Sequence, residues 1–228
     1  MVTKSSSWVS KAAAVYKKDL LSEFRTRYAL NAVALFAVTT LVAVSISVGG
    51  FGVQDKKLLA ALLWVILFFS AMSGLSRTFV REEEGRTATA LRLSAEPTAV
   101  FLGKLAFNVT LLLALEIIVI PLFVVMMNVN VGNWPLLLLV LFLGSVGLSA
   151  ASTVVAAIVS KANAKGALFA VLSFPILAPL LVTAIPASGL ALDGGTLSKG
   201  FPYLRVLIAY AGVMITASIM LFEFIWED

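Results

Sequence analysis

The sequence of 228 residues contains neither cysteine nor histidine. Without them the chain cannot form a disulfide, offer a thiolate nucleophile or an imidazole base, or build a zinc site of the common kinds. The phosphate-binding pattern Gly-x-x-x-x-Gly-Lys-Ser/Thr is also absent. If ATP powers this protein, another polypeptide must therefore bind and hydrolyse it. We expect no enzymatic site of its own and no catalytic, metal-binding or cofactor-binding residues in this chain.

Charge is scarce as well, because only 13% of the residues are charged while 61% are hydrophobic. Together with a mean hydropathy of +1.03, these values describe an integral membrane protein. Several apolar runs reach the roughly 20 residues that a helix needs to cross about 30 Å of hydrocarbon, and alternating segments of the barrel type are missing. The sequence predicts an all-α membrane protein with six transmembrane helices, at 30–49, 58–76, 105–127, 135–159, 166–187 and 204–224.

Short polar or glycine-rich links separate these runs. Gly49, Gly50 and Gly52 close the first run, and residues 128–133 separate the third from the fourth. The fifth connection is marked by Asp193, Gly194, Gly195 and Pro202. Six spans joined in this way bring both termini to one side of the membrane.

The distribution of Lys and Arg predicts the orientation. The N-terminal segment holds six, the second loop five and the fourth loop two, whereas the opposite face holds four. This bias predicts a multi-pass membrane protein with both termini and the charged loop in the cytoplasm. Anionic lipid accounts for the basic face, so we expect membrane lipids and no nucleic acid as partners. Trp8 and Trp226 fit an interfacial belt at the inner edge.

Residues 1–29 form a separate region ahead of the transmembrane domain at 30–228. They contain no apolar stretch of signal-peptide type. Apolar residues recur every three or four positions, at Val9, Ala13, Tyr16, Leu20, Phe24 and Tyr28. This spacing predicts an amphipathic helix lying in the inner interface. The alternative is a cytoplasmic extension of the first spanning helix.

The densely charged part of the chain is the loop at 77–104. A polar segment between two apolar runs must lie outside the bilayer, and its composition suits docking to another protein. Thr87 to Leu93 can form about two helical turns that end before Pro97, with Thr87 as the cap and with Leu91, Leu93 and Val100 packing against the spanning helices. A solvated linker is the alternative reading.

This loop resembles the signature of a known family. The resemblance lies in residues 79–108, with Glu-Glu-Glu-Gly-Arg-Thr at 82–87 and Leu-Arg-Leu-Ser-Ala-Glu-Pro at 91–97. It extends to Leu-Leu-Trp at 62–64, Gly-Ser-Val-Gly at 144–147 and Phe-Pro-Ile-Leu-Ala-Pro at 174–179. The chain is similar in these segments to the heme exporter protein B family, the permease of the cytochrome c maturation ABC transporter. Two positions differ from the pattern of that family. This chain has Gly-Arg at 85–86 where the family usually has Arg-Gly, and Phe174 where it usually has Leu.

The resemblance implies a permease of the ABC-2 exporter type that works with a separate ATP-binding cassette subunit and a heme-handling membrane protein. ATP would act only through the partner subunit, heme would be a transported or handled ligand, and a homodimer is a further option. The loop would transmit the motion of the ATPase to the second and third spans. The implied coupling residues are Arg81, Glu82, Glu83, Glu84, Gly85, Arg86, Leu91, Arg92 and Pro97.

Glu116 is an ionisable residue near the middle of the third span. Such groups are costly in hydrocarbon and face protein or water. One interpretation makes Glu116 a proton or substrate contact. The other makes it a protonated group that bonds to a neighbouring helix, with Asn108 as a candidate partner.

Two further features concern the packing of the bundle. Ser145, Ser149 and Thr153 recur at steps of four in the fourth helix, and small residues in this rhythm favour close helix packing, within the bundle or between two copies. In the fifth helix, prolines at 175, 179 and 186 each remove a backbone donor. We expect that helix to be kinked or broken, with Pro175 and Pro179 as candidate gating residues.

Other classes of function compete with the ABC permease for heme. An ABC-2 permease for a lipid or drug would share the architecture. A nontransporting membrane scaffold would explain the lack of chemistry, and a secondary transporter would use Glu116 for ion coupling. The substrate path, the oligomer number and the role of Glu116 stay open at this level.

Overall fold

The computed structural model describes residues 7–49, 55–80, 82, 85, 87–160 and 165–227. In these ranges the chain forms eight helices: α1 Trp8–Thr26, α2 Tyr28–Gly49, α3 Lys56–Leu75, α4 Ala88–Ser94, α5 Pro97–Met126, α6 Trp134–Val159, α7 Lys165–Leu192 and α8 Leu197–Glu227. All but α1 and α4 are long and apolar enough to cross a membrane. The prediction of an all-α protein with six spans is confirmed. Of the glycines predicted to close the first run, Gly50 and Gly52 lie outside the described residues.

Several helices extend beyond the predicted spans. The third spanning helix begins at Pro97 rather than at residue 105, because Glu96 is extended and proline is well suited to the first turn of a helix. The fifth continues to Leu192, and the sixth begins at Leu197, so that Pro202 lies inside α8 rather than in the connection. Apolar composition marks only the part of a helix that lies in hydrocarbon, and the backbone hydrogen bonds continue past it.

The fifth spanning helix is continuous, so of the predicted alternatives, a kink or a break, the break is absent. α7 passes through Pro175, Pro179 and Pro186 without interruption. Neighbouring side chains add hydrogen bonds in this region: Tyr210 Oη donates to the carbonyl of Ile176 at 2.8 Å, and Thr183 Oγ1 donates to that of Pro179 at 3.0 Å. Neither carbonyl is one that the prolines deprive of a donor, so these bonds add to the helix and do not replace the missing backbone bonds.

α6 is the central helix of the bundle and packs against α3, α5, α7 and α8. Its small-residue stripe of Ser145, Ser149 and Thr153 is buried. Asn108 Nδ2 of α5 donates to Thr153 Oγ1 at 2.8 Å. Of the two interpretations, the stripe therefore serves packing within the bundle.

α1 is a separate helix and not an extension of the first span. Arg27, between α1 and α2, has a left-handed conformation with φ of 52°, which breaks the helical path. α1 lies along α5, where Val15 is buried and a side chain at Gly103 would overlap Val15 and the carbonyl of Ala12. Phe24 on the predicted apolar face is 68% exposed, as expected of a residue that faces lipid from an interfacial helix.

The packing around Gly144 yields a testable prediction. A Cβ at this position would overlap the buried ring of Trp64, whereas a Cβ at Gly212 of α8 would meet nothing within 4 Å. We expect Gly144→Ala to destabilise the protein by about 1–3 kcal/mol, as overpacking of a core does. Gly212→Ala should be neutral or slightly stabilising because alanine favours helix. Thermal unfolding in detergent measures both, and equal melting temperatures would contradict the packing described here.

Candidate functional site

The predicted coupling residues fall partly within the structure. Arg81, Glu83, Glu84 and Arg86 lie outside the described residues. The others are Glu82, Gly85, Leu91, Arg92 and Pro97. They lie at the end of the bundle where α3 ends and α5 begins, and we call residues 76–96 the charged segment.

α4 is the short surface helix predicted within this segment. It begins after Thr87 and ends at Ser94, and Ala95 and Glu96 are extended before Pro97. Thr87 occupies the capping position, but its side chain makes no capping hydrogen bond. The boundary at Pro97 follows from the steric restriction that proline places on the preceding residue.

The two leucines of α4 face in different directions. Leu91 is partly buried against the core, whereas Leu93 is 86% exposed. The prediction that Leu93 packs against the spanning helices is therefore wrong. Residues two apart on a helix lie about 200° apart around its axis, so Leu91 and Leu93 cannot share one face.

Four charged side chains form an ion cluster in which Glu82 and Lys104 are buried, Asp19 is mostly buried and Lys18 is half exposed. Glu82 Oε1 lies 2.5 Å from Lys104 Nζ and 2.7 Å from Lys18 Nζ. Lys104 also donates to the carbonyl of Thr78 at 2.9 Å and lies 3.0 Å from Asp19 Oδ2. This ion cluster, made of Lys18, Asp19, Glu82 and Lys104, connects the charged segment to α1 and α5.

Glu82 is held in its charged form within this cluster. Burial by itself would raise the pKa of the carboxyl, but the ammonium groups of Lys104 and Lys18 outweigh burial and hold the pKa below its usual range. Lys104 is only 2% exposed and Glu82 only 5%. A buried charge of either sign requires such a partner, so Glu82 anchors the charged segment to α1 and α5.

An aromatic cluster lies beside the ion cluster and receives α4. The Phe222 and Trp226 rings of α8 stack with centroids 5.1 Å apart, and Phe79 and Phe101 lie 5.4 and 5.5 Å from Phe222. The Arg92 guanidinium lies 5.2 Å from the centroid of the Trp226 ring. These contacts connect the charged segment to α8.

Trp226 is only 6% exposed, so the prediction that it lies in an interfacial belt is wrong. Sequence reasoning missed this cluster, since its rings come from three distant parts of the chain. The spacing of Phe222 and Trp226, one helical turn apart, was the available signal.

Glu116 lies apart from these clusters, on α5. Ser145 Oγ of α6 donates to Glu116 Oε1 at 2.5 Å, and the residue is 7% exposed. A bond to a neighbouring helix is thus present, but Asn108 is not its partner, because Asn108 bonds to Thr78 and Thr153. In the described ranges, no three acidic side chains converge in a group that could hold a metal ion.

Comparison with known proteins adds one match. The profile of a family described as CcmB protein matches residues 10–225, which include nearly all of the helical chain. No curated protein matches the chain at a significant level.

The ion cluster predicts a large difference between two lysines. Lys104→Met should cost about 3–5 kcal/mol, because it leaves the buried carboxylates of Glu82 and Asp19 with less compensation. Lys11→Met breaks the outer pair with Glu96, whose carboxylate is 62% exposed, and should cost less than about 1 kcal/mol. Unfolding in detergent compares the variants. Equal costs would show that the cluster does not stabilise the fold.

Proposed function

The chain belongs to the CcmB protein family, and we propose that it acts as the membrane permease subunit of an ABC transporter in heme export for cytochrome c maturation. The charged segment is the docking site for a separate ATP-binding subunit, and α4 is the coupling helix. Nucleotide chemistry belongs to the partner. The permease converts movement at α4 into movement of its spanning helices.

The observation that carries the proposal is the exposure of Leu93. Leu93 is an apolar side chain that is 86% exposed on a surface helix outside the apolar spans, where it is open to a partner subunit. Burial of a leucine side chain is worth about 1.5–3 kcal/mol, so a protein partner that covers Leu93 gains binding energy there. Thr89, Ala90 and Ser94 are exposed beside it and present no bulky obstacle to a partner surface.

The contacts behind α4 support transmission. Arg92 against Trp226 joins α4 to α8, and the ion cluster joins the charged segment to α1 and α5. Thr98 Oγ1, in the first turn of α5, donates to Glu223 Oε1 of α8 at 3.2 Å. In this proposal a push on α4 acts on α1, α5 and α8 together, because these contacts link them to the charged segment.

The remaining parts of the proposal concern the setting. The basic bias of the charged end favours the cytoplasmic side of the bacterial inner membrane for the termini and the charged segment. The partners are the ATP-binding cassette subunit, a heme-handling membrane protein and a second copy of this permease. Heme is the handled ligand of the complex, either conducted by this chain or released from a carrier by its movement. Glu116, Pro175 and Pro179 are candidates for the path and its gate.

A pair of leucine variants tests the docking site. Leu93→Ser removes the exposed apolar contact of α4, and Leu197→Ser changes a leucine that is 48% exposed at the start of α8, at the other end of the bundle. With the complex purified through a tag on this chain, we expect Leu93→Ser to lower recovery of the ATP-binding subunit about tenfold or more, as loss of a buried leucine contact does. Leu197→Ser should leave recovery unchanged.

Because Leu93 is exposed, Leu93→Ser should disturb the fold less than a change of the acidic residues would. Glu82 is buried in the ion cluster, so its replacement would disturb the fold as well as any docking. Full recovery of an ATP-binding subunit and a normal ATPase rate with Leu93→Ser would contradict the assignment of α4 as the coupling helix.

A further inference from the structure

A cavity of about 350 Å³ lies beside the ion cluster, between α1, α2, α5 and the end of α3. Its lining changes character along its length. Asp19, Glu23 and Glu82 supply carboxylates at one part, and Phe107 and Leu111 supply apolar surface at another. Phe107 and Leu111 lie on the apolar spanning helix α5, about one and two turns beyond Lys104, so the cavity extends from the ion cluster along the apolar part of that helix.

The polar part of the lining has unused hydrogen-bond acceptors. Glu82 is 5% exposed, and while its Oε1 contacts both lysines, its Oε2 is buried without a hydrogen-bond partner among the described residues. Asp19 Oδ2 has an ion contact with Lys104 but no aligned hydrogen bond within the same part of the chain. A buried acceptor without a donor costs free energy of about 1–3 kcal/mol, so a ligand that donates here would be stabilised.

The cations of the ion cluster cannot fill this need. Lys104 donates to the carbonyl of Thr78 and to Glu82 Oε1, and its ammonium also makes the ion contact with Asp19 Oδ2, so it is already engaged with three oxygens. Lys18 is already placed between Glu82 Oε1 and Asp19 Oδ1. The missing group is a donor with several N–H bonds, and a primary ammonium is the common membrane group of this kind.

We propose that the cavity binds an aminophospholipid, with its primary ammonium donating to Glu82 Oε2 and Asp19 Oδ2 and its acyl chain lying along Phe107 and Leu111. The lipid fills the space between α1 and the charged segment, so its binding supports the position of the ion cluster. A trimethylammonium headgroup has no N–H donor and cannot make these bonds.

Native mass spectrometry of the purified full chain in detergent tests the proposal. The probes are phosphatidylethanolamine, phosphatidylcholine and phosphatidylglycerol with identical acyl chains. We expect the wild-type protein to retain phosphatidylethanolamine at least fivefold more than either other lipid, a difference of about 1 kcal/mol. Equal retention of the ethanolamine and choline lipids would overturn the proposal.

Two variants locate the binding. Ala29→Phe adds a ring to the cavity lining without removing a charge and should abolish the ethanolamine preference. Thr39→Phe adds the same ring at an exposed position further along α2 and should preserve it. A preference that survives Ala29→Phe would overturn the assignment of this cavity. If Ala29→Phe fails to fold, the comparison of headgroups on the wild type still decides.

A competition arm separates a lipid from a soluble amine. Excess O-phosphoethanolamine carries the same headgroup without acyl chains and should not displace the bound lipid, because the apolar half of the lining contributes to binding. Complete displacement would show a soluble ligand and contradict the lipid assignment. The readout needs no ATP-binding subunit, so its failure would leave the docking proposal unaffected.

Discussion

The contact between Lys104 and Glu82 is the interaction on which the charged end of this bundle depends. Lys104 is in the first turns of a spanning helix and is only 2% exposed, so its ammonium group would be very costly without oxygen partners. Glu82 and Asp19 supply them from the charged segment and from α1. Because the same carboxylate of Glu82 also binds Lys18, one buried charge links the charged segment to both α1 and α5. Gly103 contributes by allowing α1 to lie directly on α5.

The surface helix α4 packs against the bundle on its inner side and is exposed on its outer side. Arg92 packs on Trp226 and Leu91 on the core, while Leu93 faces outwards. A helix of seven residues would not be stable alone, so its form depends on these tertiary contacts. The described part of the charged segment is therefore held by specific contacts and differs from the solvated linker that the sequence left as the alternative.

The sequence predicted the parts of this structure that depend on local chemistry. Apolar length indicated six spans, and the effect of Pro97 on Glu96 indicated where the surface helix ends. Arg27 could not be recognised as the break between α1 and α2, because glycine or asparagine usually occupies a left-handed position at the end of a helix and arginine gives no such signal. The burial of Trp226 and the pairing of Glu82 with Lys104 also escaped prediction. Both result from contacts between segments that are distant in sequence, and local periodicity carries no information on such contacts. The exposure of Leu93 depends on which side of α4 faces the bundle, and composition does not predict that.

A double-mutant cycle on Glu82 and Lys104 tests the central claim most directly. Glu82→Gln, Lys104→Met and the double variant are compared in the free energy of unfolding of the full chain in detergent. If the buried pair holds the charged segment to α5, each single change leaves an uncompensated partner and the double change costs much less than the two combined, with a coupling of roughly 1–3 kcal/mol. Costs that add within about 0.5 kcal/mol would contradict the account, because they would show that the two side chains act independently.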